Sequence, residues 1–503
     1  MRRIVSVSWT VVCVLACQPV PQAEASAQSA FAVSGKIPVT TNSPSALEIF
    51  LRGRTLNENL QAHEAHALFQ QAVSVDPSFA FGEYSIATTS PTTRERDEHL
   101  RKAIALAVHA SAGERLLILG FQARTHGDPD GARQIADSLV KLYPNDERAH
   151  WTLANACAAQ QQYERAIAEF KAAIAIDTRY ALAFNQLGYA YRSAGQMTAA
   201  ENAFRQYIAL VPNDPNPYDS YAELLMKLGR FDESIVQYRK AQAIDAHFAG
   251  SFVGIAADEM YAGRYDAAVT EAERYFGVAR DDGERRTALL TLALIHVDHG
   301  ATVKALRAME RRYALAGAIG DTVNMSADGV LIAGILLEAG RPEAARERFE
   351  QAHTLLSESS ADSDTKRDDA LGARYDAARV ALAKHLLPTA RAEALAYATE
   401  AAARRNEARV RQAHELTGLV ALAAKEFDAS LVALALADQQ NPAVLAATAQ
   451  AYAGRGESAK AQEFEAQARH MNILPTFPSV FTRAALAAST RSVTSGSAGE
   501  RPR

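Results

Sequence analysis

The side chains that could do chemistry are present, but their spacing argues against it. His63 and His66 flank Glu64-Ala65 and lie three positions apart, whereas a zincin-type helix needs its two histidines four apart on one face. His296 and His299, with Asp298 between them, repeat the short spacing and have no third ligand nearby. Solvated or half-buried imidazoles are the default for such pairs. Ser34-Gly35-Lys36 lacks the upstream glycine of a phosphate-cradling loop, and no Gly-x-Ser-x-Gly occurs. Cys13 and Cys17 sit near the start and Cys157 reads as a small buried hydrophobe, so no disulfide framework exists. A net charge of −5 over 503 residues offers no basic surface for nucleic acid. The expectation is a non-enzyme with no catalytic residue, no metal site and no cofactor.

The elements that would position any site follow from a signature that returns every 34 residues. Large-then-small pairs fall at Leu119-Gly120, Leu153-Ala154, Leu187-Gly188, Tyr221-Ala222 and Ile255-Ala256. Twelve residues after each small partner comes another small residue: Ala132, Ala166, Ala200, Ser234 and Ala268. Four further on are Ala136, Phe170, Phe204, Tyr238 and Ala272, and Pro144 and Pro212 close two of the units. Leu187, Gly188 and Tyr191 share one helical face, as do Ala200, Phe204 and Tyr207. The pattern predicts one helix over about 181–194 and a second over about 198–210. Gly188 and Ala200 would let the two approach until Phe204 and Leu187 interdigitate. Gly195, Gly229 and Gly263 stand where each first helix must stop, a position glycine fills cheaply.

This period and pattern resemble the tetratricopeptide repeat family of stacked helix-turn-helix units. The resemblance implies an all-α fold, a right-handed superhelical solenoid of about twelve repeats running from Ser45 to Met471. Weaker units extend it on both sides: Gly53 with Ala65 and Phe69, a distorted stretch from about Phe79 to Ala107, and downstream Ile332-Ala333, Ala381-Leu382, Thr417-Gly418 and Thr448-Ala449. Ser357 to Lys366 reads as a polar, solvated loop. No unit buries its apolar face alone, so stability is a sum over neighbour interfaces.

At the N-terminus, Arg2-Arg3 precede an apolar run from Ile4 to Ala16, the form of a secretory signal peptide. Val14-Leu15-Ala16-Cys17 resembles a bacterial lipobox, which implies lipidation at Cys17; ordinary cleavage after Ala25 or Ala27 is the competing reading. The expected division is 1–17 signal peptide of lipoprotein type, 18–44 flexible tether, 45–471 solenoid, and 472–503 C-terminal cap and disordered tail. In the tail, Leu474, Phe477 and Phe481 are expected to fold over the last helix pair, with Ser489 onward disordered. The expected location is the periplasm, lipid-anchored to the outer membrane; beyond the N-terminus no apolar run approaches the roughly 18 residues of a spanning helix.

In relatives the first helices line a concave surface. The resemblance points Phe121 and Arg124, Trp151 and Asn155, Asn185, Gln186, Tyr189 and Arg192, then Asp219, Ser220 and Glu223 into that groove. Trp151 has a second reading, packing against its neighbouring repeat. Repeats that clamp the carboxylate tail of heat-shock chaperones use lysines and an arginine. Here Trp151 and Asn216 take the lysine places and Ser220 the arginine place, so the carboxylate would lack a cation. Two function classes stand: a cell-envelope scaffold binding a protein or extended peptide in the groove, or an outer-membrane glycan- or small-ligand-binding lipoprotein. The second would need a flat aromatic platform, with Phe121, Trp151 and Tyr189 as its candidates.

Overall fold

The computed structural model describes residues 35–58, 61–90, 93–404 and 406–497. Among them the repeat becomes twelve helix pairs. They are α1 (Pro44–Glu58) with α2 (Ala62–Val75), α3 (Ala80–Thr89) with α4 (Thr93–Leu106), α5 (Ala112–Thr125) with α6 (Pro129–Leu142), and α7 (Glu147–Ala159) with α8 (Tyr163–Ile176). Next come α9 (Ala181–Ser193) with α10 (Met197–Leu210), α11 (Pro215–Lys227) with α12 (Phe231–Ile244), α13 (Ala249–Tyr261) with α14 (Tyr265–Val278), and α15 (Asp282–Asp298) with α16 (Thr302–Ala318). The last are α17 (Thr322–Glu338) with α18 (Pro342–Ser357), α19 (Ser363–Ala383) with α20 (Leu387–Ala403), α21 (Glu407–Ala423) with α22 (Phe427–Ala435), and α23 (Pro442–Gly454) with α24 (Ser458–Arg469). A single helix, α25 (Phe477–Ser497), follows outside the pairing. The fold is an all-α helical repeat solenoid.

The small residues act as the spacing requires. A Cβ on Gly188 would fall 2.6 Å from Phe204, so only glycine lets α9 and α10 close. Where serine replaces alanine, its hydroxyl shows how near the paired helix lies: Ser234 Oγ donates to the Ala222 carbonyl and Ser430 Oγ to that of Gly418, each at 2.8 Å. First helices end in the left-handed turn expected of Gly195, Gly229 and Gly263, at φ 77°, 72° and 77°. The following N–H reaches back to close it, Gln196 to Tyr191 and Arg230 to Leu225, both at 2.9 Å.

The chain divides into two compact units. The first comprises residues up to Asn57, Gln61–Gln122 and Gln134–His150; the second comprises 58–60, Ala123–Arg133 and Trp151 onward. In the first unit Phe50 sits at the centre of the core, 5.0 to 5.5 Å from the rings of Phe69, Phe79 and Phe81. The segment expected to be a loose tether is docked here over residues 36–42. Ile37 is buried and its N–H donates to Asp146 at 2.7 Å. Lys36 pairs with Glu147, Thr40 N–H donates to Glu114 at 2.8 Å, and Thr41 donates to Asp76. Cys17, the signal peptide and residues 18–34 of the tether lie outside the described residues.

In the second unit successive first helices touch, α9 with α11, α11 with α13, α13 with α15, and again α19, α21 and α23. Successive second helices barely meet, which puts the first helices on the inside of the curve. Two expectations are met only in part in this unit. The polar stretch from Ser357 to Lys366 is loop only over residues 358–362, because α18 runs to Ser357 and Asp362 caps α19 by accepting from the N–H of Asp364 and Thr365 at 2.9 Å. The C-terminal stretch does more than cap the last pair: α25 lies on α23 and α24 and also on α15, and its backbone stays helical to Ser497. Leu474, expected to fold inward, is exposed. Among the described residues no helix is long and apolar enough to cross a membrane.

Candidate partner-binding face

Six of the expected groove residues come together on α9 and α11. Asn185 Nδ2 donates to Ser220 Oγ at 2.9 Å and lies 3.4 Å from Asn216 Oδ1, while Gln186 Nε2 donates to Asn185 Oδ1 at 3.1 Å. Tyr189 OH donates to Ser220 Oγ at 3.1 Å. Arg192 lies 4.7 Å above the Tyr189 ring and pairs with Glu223 at 3.1 Å. Three of these links join residues 31 apart, because the next first helix lies alongside and is met one helical turn earlier than the 34-residue period. The result is a ladder of polar side chains across two repeats.

One carboxyl in this strip is unanswered. Asp219 Oδ1 is buried with no hydrogen-bond partner, and burial, then the charge of Glu223, pushes its pKa up to about 8. At neutral pH it is an uncharged acid able to donate as well as accept. Burial, then Glu223, raises the Tyr189 phenol, and burial, then Arg192, lowers the Lys227 ammonium. Asp258, on α13, is fully buried, with both carboxyl oxygens unpartnered, and burial pushes it to about 8. The nearby Ser234 hydroxyl is committed to the Ala222 carbonyl.

The remaining expected residues do other things. Phe121 is a core residue of the first unit, edge-on to Tyr84 at 5.8 Å and packed with Ile118 and Leu100. Arg124 is exposed near the end of α5. Trp151 takes its packing alternative, against Tyr180, Leu182 and Ala183, with its indole N–H buried. Asn155 turns its amide back onto the Trp151 carbonyl at 2.7 Å. The aromatic platform therefore does not form: Phe121 and Trp151 are packed away, and Tyr189 stands edge-on to Phe204 at 5.1 Å. The chaperone-clamp positions are likewise occupied, since Asn216 accepts from Tyr207 and Ser220 from Asn185. Elsewhere, His66 is bonded to Thr89 and Glu95, and His299 lies flat on Tyr265 at 4.1 Å.

Sequence reasoning placed Asn216 only at a clamp lysine position and left it out of the strip, though it stands 31 residues after Asn185 and the ladder spacing would have found it. It also missed Tyr261 and Asp298, which meet the C-terminal segment and carry no periodic mark.

Two family models match the chain, a TPR repeat over residues 154–192 and a tetratricopeptide repeat over residues 185–247. No curated protein matches it. Similar solved structures include MamA, at 27% identity over 30% of this chain and 90% of that one, with a TM-score of 0.28. MamA from Desulfovibrio magneticus RS-1 is 17% identical over 32% of this chain and 89% of that one, TM-score 0.28. A tetratricopeptide repeat protein from Parabacteroides merdae is 16% identical over 51% of this chain and 96% of that one, TM-score 0.36. Period, helix pairing and both family models agree: residues 154–247 are built of tetratricopeptide repeats, and the same helix pairing continues on both sides of them.

Proposed function

We propose that the protein is an interaction scaffold that holds a protein or extended peptide against the first helices of its second unit. The observation that carries this is the strip on α9 and α11, where Gln186, Arg192 and Glu223 are only partly buried beside the unanswered Asp219 carboxyl. A neutral carboxylic acid, a carboxamide and an ion pair offer both donors and acceptors, which is what an extended main chain presents in alternation. The test is a photoreactive side chain at Gln186 in the full-length protein, cross-linked in cells. The expected result is a discrete adduct that disappears on Arg192→Glu. The same adduct from a probe at the exposed second-helix position Val236 would overturn the reading.

The setting we propose is the bacterial cell envelope, with the chain anchored by a lipid on Cys17. Support comes from Arg2-Arg3, the apolar run to Ala16 and the Val14–Cys17 pattern. A fatty-acid analogue should label the wild type and leave Cys17→Ser unlabelled. Equal labelling, or a mature protein beginning at Ser26 or Gln28, would contradict it.

A further inference from the structure

The C-terminal segment lies across the C-terminal ends of three first helices, one of which, α11, also carries part of the polar strip. After α24 the chain turns back. Asn472 is buried, with its amide 3.7 Å from where a Cβ on Gly229 would sit, at the end of α11. Tyr261 OH, at the end of α13, donates to the Ile473 carbonyl. Arg483 then pairs with Asp298, at the end of α15, at 2.9 Å and lies 4.6 Å over the Tyr261 ring. Asp298 is held ready by Tyr265 OH at 2.9 Å. Between these polar contacts Phe477 and Val480 are buried in the cluster that contains Ile255, Tyr261 and Val297, with Phe481 packed beside them. One segment thus touches the C-terminal ends of three successive first helices.

This segment has the marks of a ligand. Among the described residues it has no partner helix, so it does not form a helix pair of the kind that precedes it. It carries its own start signal, with Thr476 N–H donating to Ser479 Oγ at 2.8 Å. Its apolar residues fall at i, i+3 and i+4, with a cation at i+6, the pattern of an amphipathic helix laid in a groove. Its contacts with α13 and α15 span 212 and 185 residues of sequence, so adjacency in the chain does not explain the docking.

We propose that residues 472–488 are an intramolecular occupant of this face, and that the partner is an amphipathic helix of the same pattern, aromatic-x-x-aliphatic-aromatic-x-Arg, which displaces them. This rests on the scaffold reading and extends it: α25 masks the first-helix face until a competing helix arrives with a cation for Asp298.

A fluorescent peptide of residues 472–488 tests this by anisotropy against full-length protein. The wild type, its face occupied in cis, should bind weakly. The full-length double variant Phe477→Asp, Val480→Asp should bind at least tenfold more tightly while keeping its helical circular dichroism. Should that variant misfold, full-length Arg483→Glu loses only the ion pair and ring contact, and the same direction of change is expected. Adding Asp298→Arg should abolish binding, and a peptide carrying Arg483→Asp should recover it. Equal binding to wild type and unmasked variant, or none to the unmasked variant, overturns the proposal. If that happens while the Gln186 adduct persists, the scaffold reading stands alone; loss of the adduct with peptide binding intact would sink only the strip.

Discussion

Gln161 holds a backbone conformation that glycine supplies in the neighbouring repeats. Gly127, Gly195, Gly229 and Gly263 occupy the same 34-residue register with φ between 72° and 77°, and Gln161 adopts φ 59° there. A side chain in the left-handed region costs roughly 1–2 kcal/mol, partly offset by the greater freedom glycine has when unfolded. Gln161→Gly should therefore stabilise the protein by about 0.5–1 kcal/mol. A shift of the denaturant midpoint to higher concentration checks this; a lower midpoint would refute it. Asp258 carries a pH signature. Its folded pKa of about 8 lies above the ordinary carboxyl value of 3.8, so the folded state keeps a proton that the unfolded chain releases. Stability is then lost as pH climbs between those values. Burial dominates and the nearby Ser234 hydroxyl opposes it; Glu259 and Asp232 add to burial, and Arg264 opposes them. Asp258→Asn removes the titration. The variant and parent should melt similarly near about pH 4.5, and the variant should be more stable near about pH 8, on the order of 1–3 kcal/mol. A constant difference across that range would exclude Asp258 as the source. The glycine register was legible because one conformation recurs at one spacing. Asp258 was not, because burial without a partner depends on which neighbours fail to reach it.

At the scale of helices, the closest approach is the one glycine permits. Gly188→Leu drives a side chain into Phe204 and should cost about 1–3 kcal/mol or more. Since a stack is held by nearest-neighbour interfaces, the loosening should stay in α9, α10 and the flanking helices. Amide exchange read by mass spectrometry checks this, and uniform loosening to α24 would mean a single cooperative core. The predicted helices at about 181–194 and 198–210 match α9 and α10 closely, since large-small alternation reports contacts between elements adjacent in sequence. Two segments escaped that logic. Residues 36–42 and α25 are fixed by partners more than 100 residues away in most cases, Ile37 by Asp146 and Arg483 by Asp298, and no local period encodes such distances. A Ser/Thr-rich leader reads as loose chain, and a Pro-broken apolar tail as a cap on the last pair alone, until the surfaces that receive them are known.

For the second unit taken whole, curvature is what creates a site. Side-by-side first helices bring residues from successive repeats into one ladder, so Asn185, Tyr189 and Arg192 of one repeat are completed by Asn216, Ser220 and Glu223 of the next. The opposite face shows a different character, with exposed Val236, Val303 and Leu395 on second helices α12, α16 and α20. The two faces make competing claims on a partner. Hydroxyl-radical footprinting of the full-length protein, alone and with its cross-linked partner, compares them side chain by side chain. The account predicts protection at Gln186, Tyr189 and Arg192, with Val236, Val303 and Leu395 oxidised as before. Protection of the second-helix residues, with the α9 and α11 strip left open, would contradict it.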